Sequence, residues 1–544
     1  MRIVVVWTAI AGVLESWRRA GAAIALACLT VLAAGCASLP QGVHKTPSQA
    51  LPADADSDLG RIAIASTKDP ALSGFRLLSW SEQAFATRLA LAARAERTLD
   101  VQYYVFDDDD TGRTLSRALR DAARRGVRVR LLLDDLYTAG NDPLLLGLAA
   151  QPNVEVRLFN PFPARFDSIA ARFAASLFDV GRLNHRMHNK LFIADGAMAV
   201  AGGRNIGDEY FMVNEGANYI DLDVFAVGAV LPKLGVLFDQ YWNSDYVYPL
   251  QAIVPSAEPD SEWQRRFEAA TLPRPGRGPP PPAPGSKDLL DQVSLAEEMQ
   301  TGKLELTWAR AEAFADSPDK VIGHAPRASG STAPESVTVR ETLMSELLLA
   351  RHGVMISSPY LVPDRSVMED ITEGRLWGLP ITVITNSLAS TDEPFVHAGY
   401  QRYRDELLEL GVKVYEVAPS RVQRSAKLGS FGQSIGRFHA KAAAIDGELM
   451  FIGSLNFDPR SEKHNTELGL LIHSPELTGQ LLELADVVMR EAAYQVRLRP
   501  DRQGLEWRIG SGEGEQTFTE EPDTGWWQRT FLRVVGPFVP EGQL

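Results

Sequence analysis

Apolar and polar positions along the chain alternate between two periods. Leu99–Phe106 (LDVQYYVF) is a β-branched and aromatic run of strand length. Thr111–Arg125 then sets Leu115, Leu119 and Ala122 at helical spacing, Gly126 ends the helix, and Val127–Leu133 is strand-like again. Val154–Phe159 and Leu191–Ala194 read as further strands. Strand and helix in alternation predict an α/β lobe with a mostly parallel sheet.

The rhythm lapses near residue 250, and the Pro/Gly-rich stretch Leu272–Ser286 contains Pro279–Pro282. Such a run cannot supply the N–H donors of a helix or ladder. From about residue 303 the alternation resumes, with strands at Val354–Ser358, Ile381–Thr385 and Val412–Glu416 and an amphipathic helix at Val396–Leu410. Leu410-Gly411-Val412 repeats the helix-stop-strand word Arg125-Gly126-Val127, so the second half restates the first. The expected layout is a lobe over 61–250, a linker over 251–302, a second lobe over 303–500 and an amphipathic tail over 501–544.

At the N-terminus, Arg18 and Arg19 precede the apolar run Ala20–Ala34, which ends in Ala33-Ala34-Gly35-Cys36. Fifteen apolar residues are short of the ~20 that span a bilayer. The segment 1–35 resembles a bacterial lipoprotein signal, with Cys36 as the lipidated first residue of the mature chain and 36–60 as a polar tether; an uncleaved N-terminal anchor is the alternative. Either reading places the body outside the cytoplasm. The lipoprotein reading favours a periplasm-facing protein, on the outer membrane more than the inner.

Composition adds two exclusions. The only cysteines, Cys28 and Cys36, are both N-terminal, so no disulfide framework spans the body. The net charge of −14 opposes a general nucleic-acid binder, though not a local basic pocket for one phosphate.

The chemistry lies in a duplicated constellation. His188-Asn189-Lys190 is followed after four residues by Asp195, then after six more by Gly202-Gly203-Arg204-Asn205. His439-Ala440-Lys441, Asp446 and Gly453-Ser454-Leu455-Asn456 repeat every spacing. His and Lys two apart on a strand share a face and can reach one ligand. Two copies facing each other would set two His, two Lys and two Asn around one phosphate. One imidazole could attack while the other handles protons, and Lys and Asn donors would stabilise the charge on phosphorus, with no metal or other cofactor required.

These motifs identify the chain as similar to the phospholipase D superfamily with its duplicated HKD motif. The words Arg186–Lys190, Gly202–Phe211, Val396–Tyr400 and Pro540–Leu544 resemble the cardiolipin synthase branch, its C-type members in particular. The resemblance implies two α/β/α lobes related by a pseudo-two-fold, with the active site at their interface. It favours His188 as nucleophile and His439 as general acid, then base, an order that the residues themselves leave open. It makes Lys190, Lys441, Asn205 and Asn456 phosphate-binding, and Asp195 and Asp446 the aspartates of the catalytic motifs, expected to support the site rather than take part directly. Glu467 matches the carboxylate that orients a histidine, and Asp221 or Asp223 is its stand-in in the first lobe. His397 and Tyr400 would line a headgroup pocket, or else form a packed helix face. The implied partners are a membrane surface and phospholipid substrates: phosphatidylglycerol, with phosphatidylethanolamine a second candidate.

Other features have blander readings. His185 and His464 lack a Lys partner and read as bystanders, and Asp107–Asp110 reads as a solvated turn before a metal site. In the tail, Trp527, Phe531, Val534 and Val535 share a helical face opposite Arg529 and Arg533, which suits either the membrane interface or packing on the protein's own body. The expected activity is transfer of a phosphatidyl group to a lipid alcohol. Hydrolysis of phospholipid, a periplasmic nuclease and a silent lipid-binding lipoprotein are the rivals.

Overall fold

The computed structural model describes residues 38–274, 276–322, 337–425, 427–429, 431–501, 503–510, 515–540 and 542; the signal-like segment and Cys36 lie outside them. In the first lobe the strands Thr98–Tyr103, Arg128–Asp134 and Val154–Phe159 pair in parallel. Antiparallel pairings add Leu191–Ala194, Met198–Gly202, Asp223–Gly228 and Ser73–Leu78. Val129, Leu131, Leu132 and Leu133 are all buried, as expected of a parallel strand covered on both faces.

The second lobe repeats the order. Val354–Ser357, Ile381–Asn386 and Lys413–Val417 are parallel, and Ala442–Ile445, Leu449–Gly453 and Leu468–His473 continue antiparallel. Strand Thr307–Ala315 pairs through Thr307–Ala309 with Ser73–Phe75 and through Arg310–Ala315 with Leu468–His473, so it stitches the two sheets together. One buried apolar cluster crosses the seam, joining Phe75, Leu77 and Leu191 to Phe438, Ile452 and Leu470.

Three segments differ from the expected layout. Residues 38–57 are laid along the first lobe and are no free tether: Arg157 donates to the Thr46 carbonyl at 2.7 Å, Arg128 to the Gln49 carbonyl at 2.8 Å, and the Ala50 N–H donates to Asp239 at 2.8 Å. Within 251–302, helix Asp260–Ala270 packs on Asp142–Ala149 through buried Phe267, and helix Leu295–Thr301 lies against Ser81–Arg94 with Leu295 and Met299 in the core. Of the tail, Leu505–Ile509 and Gln516–Phe518 extend the second sheet beyond Ala493–Leu498.

The last helix, Trp526–Val535, docks on Pro394–Glu409 by Leu532, which packs with Leu388 and Ala398, and Arg402 donates to the Gly536 and Val539 carbonyls. Trp526, Trp527, Val534 and Phe538 remain 68, 68, 62 and 81% exposed. Among the described residues no helix is long and apolar enough to cross a membrane.

Candidate active site

Two short parallel pairings cross the lobe seam and build the site. Arg186–Met187, just before His188, pairs with Asn465–Thr466, just before Glu467. Ile435–Phe438, just before His439, pairs with Ala217–Ile220, just before Asp221. The ladders continue one residue further, because the His188 N–H donates to the Thr466 carbonyl at 2.9 Å and the His439 N–H to the Ile220 carbonyl at 2.8 Å. The end of a central strand braces each segment: the Met187 N–H donates to Asp134 at 2.8 Å, and the Phe438 N–H to Asn386 at 2.9 Å.

Each histidine therefore meets a carboxylate from the other lobe. His188 Nδ1 stands 2.9 Å from Glu467 Oε2, and His439 Nδ1 stands 2.6 Å from Asp221 Oδ2. With Nδ1–H donated to a carboxylate, Nε2 is the free reactive nitrogen. Lys190 and Lys441 are buried, and each donates to the carbonyl of the histidine two residues earlier at 2.7 Å.

The charges are arranged unequally. Burial, followed by Lys190, Lys441 and His439, holds the His188 imidazolium far below its usual range, which leaves a neutral imidazole. Burial and Lys441 lower His439 too, but the Asp221 carboxylate opposes them. Asp221 is itself held below the usual carboxylate range; burial alone would raise it, and His439, Lys441 and Arg204 prevail. Burial pushes Glu467 up to about 7, against Lys190 and the Ser454 hydroxyl. Lys441 falls to about 8 through burial, and Lys190 is also held well below its usual range, by burial and then by Lys441. Two buried lysines, the second of which depresses the first, form a cradle for one anion.

The Gly-(Gly/Ser) pair has a steric reason. A Cβ on Gly203 would lie 2.2 Å from Asp221 Oδ1, so only glycine leaves that carboxylate its place. The second lobe has Ser454 there, whose hydroxyl donates to Glu467. Asn205 accepts from the Val105 N–H at 3.2 Å and donates to Tyr210 Oη at 2.9 Å, leaving one amide hydrogen, and Asn456 is buried with Oδ1 unpartnered. Aromatic rings wall the histidines. Tyr104 meets His188 edge-on at 4.9 Å, and Tyr219 and Tyr210 lie 4.9 and 5.4 Å from His439.

Several expected site residues lie elsewhere. Asp195 and Asp446 occupy the far ends of the strands that follow Lys190 and Lys441, in the left-handed region at φ 52° and 55°. Asp195 accepts the Glu96, Arg97 and Thr98 N–H groups, and Asp446 those of Arg351, His352 and Gly353. They tie turns and touch no reacting group. Asp223 opens the next strand and pairs with Arg88 at 2.8 Å and with Arg204 at 3.4 Å, away from the histidines.

Tyr400 is buried with its hydroxyl on Glu416 at 2.9 Å, beside Arg404 and Trp507; His397 is buried next to it. These two form a packed helix face that, with Tyr360 and Asn386, lines only a small cavity. His185 and His464 meet edge-on at 5.0 Å on the seam. Asp109 caps a helix by accepting the Gly112 N–H at 2.8 Å. Cys36 lies outside the described residues. The bracing residues Asp134 and Asn386 and the tyrosine walls carry no motif of their own, although each of Tyr104, Asp134 and Asn386 stands where a parallel strand ends.

The family model described as "Cardiolipin synthase, PLD-like domain" matches residues 89–242 and 343–487, one match in each lobe. Cardiolipin synthase C of Escherichia coli (strain K12) is 39% identical over 481 residues, covering 86% of this chain and 96% of its own length. A cardiolipin synthase of Geobacillus kaustophilus (strain HTA426) is 24% identical over 407 residues, 75% of this chain and 64% of its own length. Among solved structures, phosphatidylserine synthase of Haemophilus influenzae Rd KW20 superposes with a TM-score of 0.53 at 12% identity, covering 88% of this chain and 96% of that one, a likeness of fold.

Proposed function

The chain belongs to the cardiolipin synthase family of phospholipase D-like proteins, and on that premise we propose that it is a phosphatidyltransferase that makes cardiolipin-type phospholipid through a phosphohistidine. Neutral His188 Nε2 attacks the phosphorus of a donor phospholipid. The bond from phosphorus to the headgroup oxygen breaks, and protonated His439 gives its Nε2 proton to the departing alkoxide. A lipid alcohol then gives its proton to His439 as its oxygen displaces His188 from phosphorus. Lys190 and Lys441 offset the charge on the equatorial oxygens throughout.

The observation that carries this order is the inequality of the crossed pairs. His188 is the more strongly neutral imidazole, whereas His439 faces the firmly ionised Asp221 and is the better placed to carry a proton. The acceptor is the free hydroxyl of phosphatidylglycerol, and the donor is phosphatidylglycerol or phosphatidylethanolamine. The reaction takes place on a membrane outside the cytoplasm, with a lipid on Cys36 as anchor. The exposed Trp526, Trp527 and Phe538 sit at headgroup level.

Mass spectrometry of products from purified protein and mixed anionic and zwitterionic vesicles tests the reading. A four-acyl product is expected. Phosphatidic acid alone would make the protein a hydrolase, and no product with intact protein would remove the catalytic reading.

A further inference from the structure

Asp392 lies in the loop between strand Ile381–Asn386 and helix Pro394–Glu409, at the carboxyl end of a central strand. It joins the lobes. Tyr219 of the first lobe, whose ring packs on His439, donates its hydroxyl to Oδ2 at 2.8 Å; Tyr360 of the second donates to Oδ1 at 2.9 Å. Its charge also reaches the Lys441 ammonium, which places the carboxylate within electrostatic range of the phosphate cradle.

A carboxylate there works against the site's main task, since it repels the phosphodiester that Lys190 and Lys441 attract. Its natural ligand is a hydrogen-bond donor. Each oxygen accepts one tyrosine hydroxyl and retains a further lone pair. Lys441 and Arg437 lie in electrostatic range of Asp392, and so do Glu209 and Glu393, so local charge does not choose between a cationic and a neutral donor; the glycerol-type donor follows from the phosphatidyltransferase reading.

Resting on the phosphatidyltransferase reading above, we infer that Asp392, fixed by Tyr219 and Tyr360, is the specificity-determining residue that accepts hydrogen bonds from the free hydroxyls of a glycerol-type acceptor. The carboxylate holds the polyol beside His439, which takes the proton of the attacking hydroxyl. A simple alcohol lacks the second hydroxyl and gains nothing from Asp392.

The test is a competition with the full chain in mixed micelles. Dioctanoyl phosphatidylglycerol is the donor, and deuterated glycerol and 1-propanol are equimolar acceptors. Mass spectrometry reads the labelled phosphatidylglycerol against phosphatidylpropanol. The wild type is expected to favour glycerol. Asp392→Asn should cut the glycerol-to-propanol ratio about tenfold, the effect of losing a hydrogen bond to a charged acceptor, and Asp392→Glu should recover part of it. A ratio does not move when both products fall together, so a folding defect cannot mimic the result.

An unchanged ratio in Asp392→Asn, or an equal fall in both products with a lower melting temperature, would leave Asp392 a mere clamp between lobes and overturn the inference. So would a wild-type preference for ethanolamine over glycerol, with ethanolamine added as a third acceptor, that Asp392→Asn abolishes. In those cases the transferase reading stands. Phosphatidic acid as the sole wild-type product would overturn both together.

Discussion

His188 and Glu467 are 279 residues apart and belong to different lobes, yet Nδ1 and Oε2 stand 2.9 Å apart. The reciprocal pair, His439 and Asp221, closes at 2.6 Å. Neither lobe alone contains an oriented histidine, so the catalytic unit is the seam itself.

Glu467→Gln and Asp221→Asn should each lower kcat/KM by about a hundredfold or more, since the carboxylate fixes both tautomer and ring. The two should differ in pH dependence. Asp221 raises the His439 pKa, so its removal lowers that pKa, and transfer should fail at a lower pH than in the wild type. Steady-state pH profiles check this, and parallel profiles for both variants would contradict the assignment of His439 as the acid.

Binding of a monoanionic diester such as dibutyl phosphate should weaken above about pH 8, where Lys441 loses its proton. The lysine pKa is lowered, so the charge is present below that pH and absent above it. Lys441→Arg should flatten the dependence, because a guanidinium keeps its charge. Inhibition constants measured from pH 6 to 10 decide the point.

Gly203→Ala should damage catalysis without removing any catalytic group. The new methyl would occupy the place of Asp221 Oδ1, so the carboxylate must turn away from His439. A fall of roughly tenfold or more in kcat is expected, with diester affinity retained. A crystal structure with Asp221 unmoved would refute the explanation.

Asp195→Ala should behave as a stability variant. Three backbone N–H groups lose their acceptor, at a cost of about 2–4 kcal/mol. Thermal unfolding should shift downward while turnover per folded molecule is kept. Loss of turnover in well-folded protein would return Asp195 to the catalytic set.

Replacing Trp526, Trp527 and Phe538 with Ala should reduce activity on vesicles about tenfold or more, and far less on dioctanoyl lipid in micelles. The replaced rings are exposed, whereas Leu532 holds the helix to the body, so these substitutions probe the surface without undocking the tail. Burying such rings at a bilayer is worth about a few kcal/mol at ~25 cal/mol per Å². Equal losses on both substrates would make the tail structural.

Much of this arrangement is legible in the residues, and the gaps have physical causes. The two-residue alternation of a strand turns His and Lys to one face, so the spacing of His188 to Lys190 and of His439 to Lys441 already implies a joint anion site. The same spacing marks Asp195 and Asp446, but a recurring aspartate at a strand end serves a turn as readily as a reaction. Asp221 and Asp223 are two apart in the chain. Only the crossing of Ala217–Ile220 over the seam directs the first to His439 and leaves the second to Arg88. Asp392 sits in a loop with no periodicity, and two distant tyrosines define its surroundings. Residues 38–57 resemble a tether because arginine side chains hold them, a pattern that no local repeat records.

That strap alters how the protein would explore a membrane. A lipid on Cys36 joined to a free tether of about 24 residues could let the body swing through ~80 Å, whereas two residues of chain before the strap permit about 7 Å. With so short a link the body could not sample by swinging. If Cys36 carries that lipid, the body would travel with it and meet new substrate only as fast as lipids diffuse past it in the plane of the bilayer.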